Sequence, residues 1–291
     1  MDEDRVLAER FEENRPHLRA VAYRMLGSLS EADDAVQEAW LRFSHAGTDG
    51  VENLGGWLTT IVARVCLNML RSRGSRREES LDTHVPDPIV SVGEPDPEDE
   101  VLLADSVGLA LLVVLQTLTP AERLAFVLHD MFAVPFEDIA PIVERSPAAT
   151  RQLASRARRR VRGTAPAPET DLARQREVVD AFLTASRGGD FEALVALLDP
   201  DVTLRSDAGA SPITTIIRGA HNVVRQALSF RHLAGFARPA MVNGEYGLVT
   251  APNGRAAAVM ALTVVDGRIT EINILADPER LRRLDLTFQD G

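Results

Sequence analysis

From residue 5 to residue 77 the apolar positions recur at helical spacing with few breaks. Leu18, Val21, Ala22, Met25 and Leu26 line one side of a helix that Gly27 can stop. A second helix starts near Ser30 and buries Ala32, Ala35, Val36, Ala39, Trp40 and Phe43. Asp33, Asp34, Gln37, Glu38 and Leu41 fall on its other sides. The polar stretch Ser44 to Gly56, with four glycines, reads as a loop. A third helix runs from Trp57 to about Arg73, apolar along Trp57, Leu58, Ile61, Val62, Val65 and Met69. Its polar stripe is Thr60, Arg64, Asn68 and Arg71.

Helical patterning then lapses. Residues 78–105 are acidic and hold Pro86, Pro88, Pro95 and Pro97. Prolines bar helix and like charges extend the chain, so this span reads as a solvated linker. Helical signal returns from about Val101, and residues 106–163 read as a second helical domain. Thr119-Pro120-Ala121-Glu122 combines a cap, a Pro at the first helical position and a capping-box Glu. A short helix spans Phe136 to Val143, and after a tight turn Ser146-Pro147 opens another that runs to about Arg162.

Residues 164–171 form a second linker, and the pattern changes beyond it. Across 172–291, helical stretches (Ala173–Arg187, Phe191–Leu198, His221–Phe230) precede and flank strand-like runs. Those runs are Val202–Ser206, Ala240–Val242, Leu248–Ala251, Ala256–Val265 and Ile269–Leu275. Asn243-Gly244, Asn253-Gly254 and Asp266-Gly267 mark hairpins. Helices with antiparallel hairpins imply a separate α+β domain.

Charge changes the picture once its distribution is followed. A net charge of −11 over 291 residues argues against a nucleic-acid partner. Residues 78–122, however, hold 11 acids and no Arg, which alone equals the whole excess. Residues 123–163 carry 8 Arg against 4 acids. All 32 basic residues are Arg, an outcome that GC-rich codons alone produce. The single Cys66 allows no disulfide framework within the chain, and the histidines (17, 45, 84, 129, 221, 232) form no metal-ligand pattern. No metal and no cofactor is expected. The acidic start Met1-Asp2-Glu3-Asp4 is no signal peptide, and the apolar run Val107 to Leu115 is too short to span a bilayer, so a cytoplasmic protein without membrane contact is expected.

The helix pair 136–143 and 147–162 has the layout of a helix-turn-helix. Leu153, Ala157 and Val161 face its core; Arg151, Ser155, Arg158 and Arg162 form an exposed row, with Gln152, Arg156 and Arg159 beside it. From Arg145 to Arg162 there are seven Arg and no acid. A helix entering the major groove needs Arg or Gln towards its N-terminal half for base edges and Arg on its flanks for phosphates. A solvated basic face gives the same composition, but the capped short helix before it favours DNA.

The stretch Ala32-Asp33-Asp34-Ala35-Val36-Gln37-Glu38-Ala39-Trp40-Leu41-Arg42 resembles region 2 of extracytoplasmic-function sigma factors of the sigma-70 family. Gly56-Trp57-Leu58 through Asn68, Arg71 and Arg73 resembles the part that opens the −10 promoter element. Leu118-Thr119-Pro120-Ala121-Glu122-Arg123, Phe136-Glu137-Asp138-Ile139-Ala140 and Ser146 to Arg158 resemble region 4, which reads the −35 element. A C-terminal extension after region 4 is similar to the SigJ-type subgroup, where a SnoaL-like (NTF2-like) domain follows. The resemblance implies a multidomain fold. Two all-α sigma domains, a region 2 helical bundle (5–77) and a region 4 helix-turn-helix (106–163), are joined by the acidic linker 78–105. After a linker at 164–171 an α+β NTF2-like cone follows at 172–291.

It also implies roles. Asp34, Gln37, Glu38 and Leu41 would meet the β′ clamp of RNA polymerase core, with further contact to its β subunits. Asn53, Arg64, Asn68 and Arg71 would contact the melted −10 strand. Arg151, Gln152, Ser155, Arg156 and Arg159 would lie in the −35 major groove. The acidic linker would follow the RNA exit path, although a plain solvated linker explains the same composition. The subgroup's Trp-Leu-Pro-Glu-Pro type sequence here reads His84-Val85-Pro86-Asp87-Pro88, without its aromatic anchor. Asp266-Gly267-Arg268-Ile269 resembles a turn the subgroup places near its C-terminus.

Some NTF2-like proteins are enzymes using Asp or His as acid or base. His221, His232, Asp180 and Asp201 are the candidates here, and none sits at a spacing that marks it as catalytic. The expectation is therefore an alternative sigma factor with an in-chain regulatory domain, not an enzyme. The sequence requires no separate anti-sigma factor and leaves room for a small-molecule ligand in the C-terminal domain. The competing reading is a SnoaL-like enzyme or ligand sensor fused to a helix-turn-helix regulator.

Overall fold

The computed structural model describes residues 2–46, 53–76, 84–91, 107–164, 169–209, 215–284 and 286. The chain forms two compact units, one of Met1–Ser80 with Val114–Thr164, the other of Leu81–Val113 with Ala165–Gly291.

The first unit begins with α1 (Asp2–Leu26), α2 (Leu29–Ala46) and α3 (Leu54–Arg76). Each apolar stripe faces the other two helices: Phe11, Phe43, Leu18, Met25, Leu58 and Leu67 are fully buried. Phe11, Trp40, Phe43 and Trp57 make a chain of ring contacts with centroids 5.0–5.9 Å apart. Aromatic pairs of this kind add about 0.5–1.5 kcal/mol each beyond their buried area.

The helical part around residue 120 completes this unit. Of the helical signal expected from Val101, residues 101–106 lie outside the described residues; α4 spans Leu109–Gln116, its residues up to Val113 counted with the second unit and the rest with the first. α5 (Pro120–Phe126) carries the expected capping box, with Thr119 and Glu122 exchanging both bonds. A π-turn (Val127–Met131) follows, then α6 (Phe136–Val143) and α7 (Pro147–Thr164). On α5, Arg123 is buried and donates from Nη1 to Met25 O at 2.8 Å, 98 residues earlier. Burial, with Arg73 nearby, lowers its pKa to about 10. Phe132 lies between His17, edge-on at 5.2 Å, and the guanidinium of Arg24 at 4.7 Å.

The second unit holds α8 (Leu172–Gly188), α9 (Phe191–Leu197) and α10 (Ala220–Ser229) against a seven-stranded sheet. Its strands are β1 (Val90–Ser91), β2 (Leu198–Asp207), β3 (Thr215–Arg218), β4 (Ala237–Val242), β5 (Glu245–Thr250), β6 (Ala258–Val265) and β7 (Arg268–Leu275), in the order β1-β4-β5-β6-β7-β2-β3. All pairs are antiparallel except β2 with β7. This is the expected α+β domain. Val179, Leu194, Val202, Val223, Val224, Leu262 and Ile272 fill the space between helices and sheet. Asn243 and Gly244, at φ 51° and 78°, turn β4 into β5, and Asp266 and Gly267 turn β6 into β7. Both pairs adopt the doubly left-handed turn that matches strand twist. The chain closes on α11 (Pro278–Arg283), capped by Asp277.

One expectation is corrected here. Within the acidic span 78–105, residues 84–91 are not solvated: Val85, Pro86, Asp87, Pro88 and Ile89 are buried, and Val90–Ser91 pair with Val242–Met241 of β4. The prolines do exclude helix, but an extended Pro-rich strand carries apolar surface, and Asp87 finds a counter-charge in Arg280. The remaining residues of that span up to 83 and from 92 lie outside the described residues, as do 165–168 of the second linker.

Candidate nucleic-acid and partner interfaces

α6 ends in a left-handed residue, Glu144 (φ 56°, ψ 48°), whose N–H returns to Ala140 O. Ser146 Oγ then accepts from Ala149 N at 3.2 Å and caps α7. The two helices are thereby joined in three residues, as a helix-turn-helix requires. The inner row of α7 differs slightly from expectation. Thr150, Ala154 and Ala157 are fully buried, whereas Leu153 and Val161 are only half-buried. Close approach of α7 to α5 and α6 admits only small side chains along the seam. Glu144 is exposed and non-Gly at a left-handed position. Glu144→Gly is therefore expected to stabilise the protein by about 0.5–1 kcal/mol. Thermal melting checks this, and a lowered midpoint would contradict it.

Arg151, Gln152, Ser155, Arg156 and Arg159 are all exposed on one face of α7. Two of them are pre-oriented: Arg151 lies over the Phe136 ring at 5.2 Å, and Arg156 meets Glu122 at 3.1 Å with half its side chain still open. Arg158, expected in the exposed row, instead pairs with Asp130 at 2.6 Å.

On α3, Arg64, Asn68 and Arg71 are exposed in one stripe spanning about 10 Å, from the helical rise. Asn53 has a structural task as well, because its Oδ1 accepts from Gly56 N at 2.9 Å at the start of that helix. On α2, Asp34, Gln37 and Leu41 are exposed and Glu38 is half-buried, paired with Arg42 at 2.9 Å. Leu41 keeps 48% of its surface in solvent beside these acids. An open leucine rimmed by carboxylates suits a basic partner with an apolar centre.

Residues 10–76 match the family described as Sigma-70 region 2, and residues 108–161 the family described as Sigma-70, region 4. The extracytoplasmic-function RNA polymerase sigma factor SigJ of Mycobacterium tuberculosis is 40% identical over 288 residues, covering 93% of this chain and 91% of that protein. The chain belongs to the extracytoplasmic-function sigma factors. A second relative, a probable sigma factor of the same organism named SigI, is 35% identical over 96% of both chains. The crystal structure of Mycobacterium tuberculosis SigJ superposes with a TM-score of 0.77 at 36% identity, over 96% of this chain and 100% of that one. The function of this sigma factor is accordingly transcription initiation. Among the described residues no helix is long and apolar enough to cross a membrane.

In this sigma factor, a cluster the sequence did not single out surrounds residues 84–89. Arg280 on α11 donates from Nε to Asp87 at 2.7 Å, from Nη1 to Asp207 at 2.9 Å and from Nη2 to Val85 O at 2.6 Å. His84 Nδ1 lies 3.2 Å from Asp207 Oδ2. Burial pushes the Asp207 carboxyl up, but the bonds from His84 and the Gly209 amide, with the Arg280 charge, outweigh it and hold it below the usual range. The β4–β5 turn takes the other end of the segment. Asn243 Oδ1 accepts from Ile89 N at 3.0 Å, and Asn243 N donates to Ile89 O at 2.8 Å.

Next to that turn, Glu245 is buried on β5 against Gly108, where a Cβ would collide with its carboxylate. Burial raises its pKa to about 7, and the charge of Glu271 adds to the shift. Glu271 itself pairs with Arg205 at 3.0 Å. The sequence signals were the His84-Val85-Pro86-Asp87-Pro88 stretch, which resembles the subgroup's linker motif, and the Asn-Gly pair at 243, read as a hairpin; neither pointed to Arg280, Asp207 or Glu245.

The candidate acid–base residues of the second unit are not brought together. His221 is exposed at the start of α10 beside Phe191, Asp180 pairs with Arg176 on α8, and Asp201 and His232 are exposed. Among the described residues no group of His, Cys, Asp or Glu is arranged to hold a metal.

Proposed function

We propose that this sigma factor binds polymerase core through Asp34, Gln37, Glu38 and Leu41, and contacts the opened −10 strand with Asn53, Arg64, Asn68 and Arg71. The −35 groove is read by Arg151, Gln152, Ser155, Arg156 and Arg159. The observation that carries the reading is the exposed basic face of α7 on a capped, tightly turned helix pair. Its cytoplasmic location follows from where core polymerase works. The C-terminal unit acts as a regulator rather than a catalyst, supported by its hold on residues 84–91 through Arg280 and Asn243. While so held, that segment is not available to run along an RNA exit path. The alternative of a SnoaL-like enzyme or ligand sensor fused to a helix-turn-helix regulator in place of a sigma factor is not favoured, because the similarity to a sigma factor extends over 93% of the chain.

Runoff transcription with core polymerase on a matched promoter tests both parts. Arg156→Ala is expected to lower the yield about tenfold, in line with the ~1–3 kcal/mol of one base contact. Core binding should stay intact. Removing the residues from Gly163 onward should change promoter opening without abolishing core binding. Loss of neither transcription nor opening in these variants would overturn the assignment.

A further inference from the structure

α11 does more than present Arg280. Its other residues, with the β5–β6 connection, enclose a groove of about 520 Å³ walled by Pro252, Ala257, Pro278 and Leu281. Arg255 and Arg282 lie on its lining. Most arginines of this unit whose partners are visible are spent on acids or carbonyls: Arg205 on Glu271, Arg174 on Glu169, Arg187 on Ala234 and Ala237. Arg255, like Arg218, Arg231 and Arg268, has no guanidinium partner among the described residues, and of these four it is Arg255 that lines the groove. Arg282 donates from Nε to Pro278 O at 3.1 Å, and its two terminal nitrogens have no partner among the described residues. No acidic side chain lines the groove among the described residues.

The size is that of a small-molecule site, which is typically apolar with a few placed polar groups. Two guanidinium groups over proline, alanine and leucine walls select one chemistry, a compact anion carried on an apolar body. We propose that this groove binds a small amphipathic anion, a carboxylate or sulfonate on a hydrophobic frame, as an effector of the C-terminal unit. The effector role rests on the regulatory reading above; the site itself does not. Its lining shares no residue with the buried cluster between helices and sheet. Leu281 and Arg282 touch the groove while their neighbour Arg280 grips Asp87 and Val85. A ligand seated on α11 therefore acts on the helix that holds residues 84–91, and the coupling must be reciprocal.

The test is fluorescence titration of the full chain with 8-anilinonaphthalene-1-sulfonate, alongside the neutral N-phenyl-1-naphthylamine. Saturable binding of the anion at one site is expected, with the neutral dye at least tenfold weaker. The double variant Arg255→Ala/Arg282→Ala should weaken the anion at least tenfold. Ala257→Trp, which fills the groove and keeps both charges, should do the same, while Arg231→Ala on another surface should not. Absence of saturable binding, or affinity unchanged in both groove variants, would overturn the site. Core-polymerase binding measured on the same samples separates the two readings. If dye binding fails while core binding persists, the groove alone is refuted; if core binding fails, the sigma-factor assignment is refuted.

Discussion

Replacing Arg280 by Met is expected to release residues 84–91 from the C-terminal sheet. Arg280 is the shared cation of two buried carboxylates, Asp87 and Asp207, whose side chains are only 10% and 4% exposed. Removing one member of a buried ion group costs about 3–5 kcal/mol, because the remaining charges stay desolvated without a partner. The cheapest escape is for the segment carrying Asp87 to leave. The contacts of His84 with Asp207 and of Ile89 with Asn243 are lost with it, but none of these residues belongs to the core between helices and sheet, so the release is confined to this segment. Hydrogen–deuterium exchange over residues 84–91 should therefore accelerate by at least about a hundredfold, with exchange in β6 and β7 unchanged. Exchange over 84–91 at the wild-type rate would show that the strand pairing with β4 suffices and that the cluster is incidental.

Glu245→Gln is expected to stabilise the protein above neutral pH and to do almost nothing at pH 5. Glu245 titrates near 7 in the folded chain against an ordinary 4.5. Between those values the folded state holds a proton that the unfolded state has lost, so wild-type stability falls as pH rises through this window. Once the group is ionised, the accumulated loss is on the order of 3 kcal/mol, from ~1.4 kcal/mol per pKa unit. Gln keeps the shape and never ionises beside Glu271. Melting curves of the two proteins should therefore coincide near pH 5 and separate by several degrees at pH 8. A constant offset across that range would mean that the carboxyl contributes through packing alone.

Much of the fold was legible because local signals agreed with burial. The helix-turn-helix announced itself through Ser146-Pro147 and the arginine run, and its short helix spans the residues read from periodicity. Three hairpin dipeptides placed the turns of the C-terminal sheet, although Asn253-Gly254 sits in a longer connection containing a 3-10 turn. Two strands were missed for opposite reasons. β3 (Thr215–Arg218) is an edge of four residues, too short to show alternation, and β1 pairs only with β4, about 150 residues away in sequence. Pairing at that range leaves no periodic trace in a segment rich in proline. The clustering of Arg280, Asp207, Asp87 and His84 was invisible for the same reason, since it joins residues up to 195 apart. Surface contacts were easier to read, because helical spacing alone places Arg64, Asn68 and Arg71 on one stripe.

The 193 residues between Asp87 and Arg280 set a clock. At about 5–20 residues per second, synthesis needs roughly 10–40 s to reach Arg280 after Asp87 has been made. The helices proposed to face polymerase and DNA are complete well before then. Every newly made copy thus passes through an interval in which residues 84–91 have no sheet to join, and under the proposed function core polymerase meets the sigma helices before the C-terminal unit has taken up that segment. On that reading, the balance between core-bound and restrained molecules depends on translation speed and on the supply of free core, as well as on equilibrium in the finished protein.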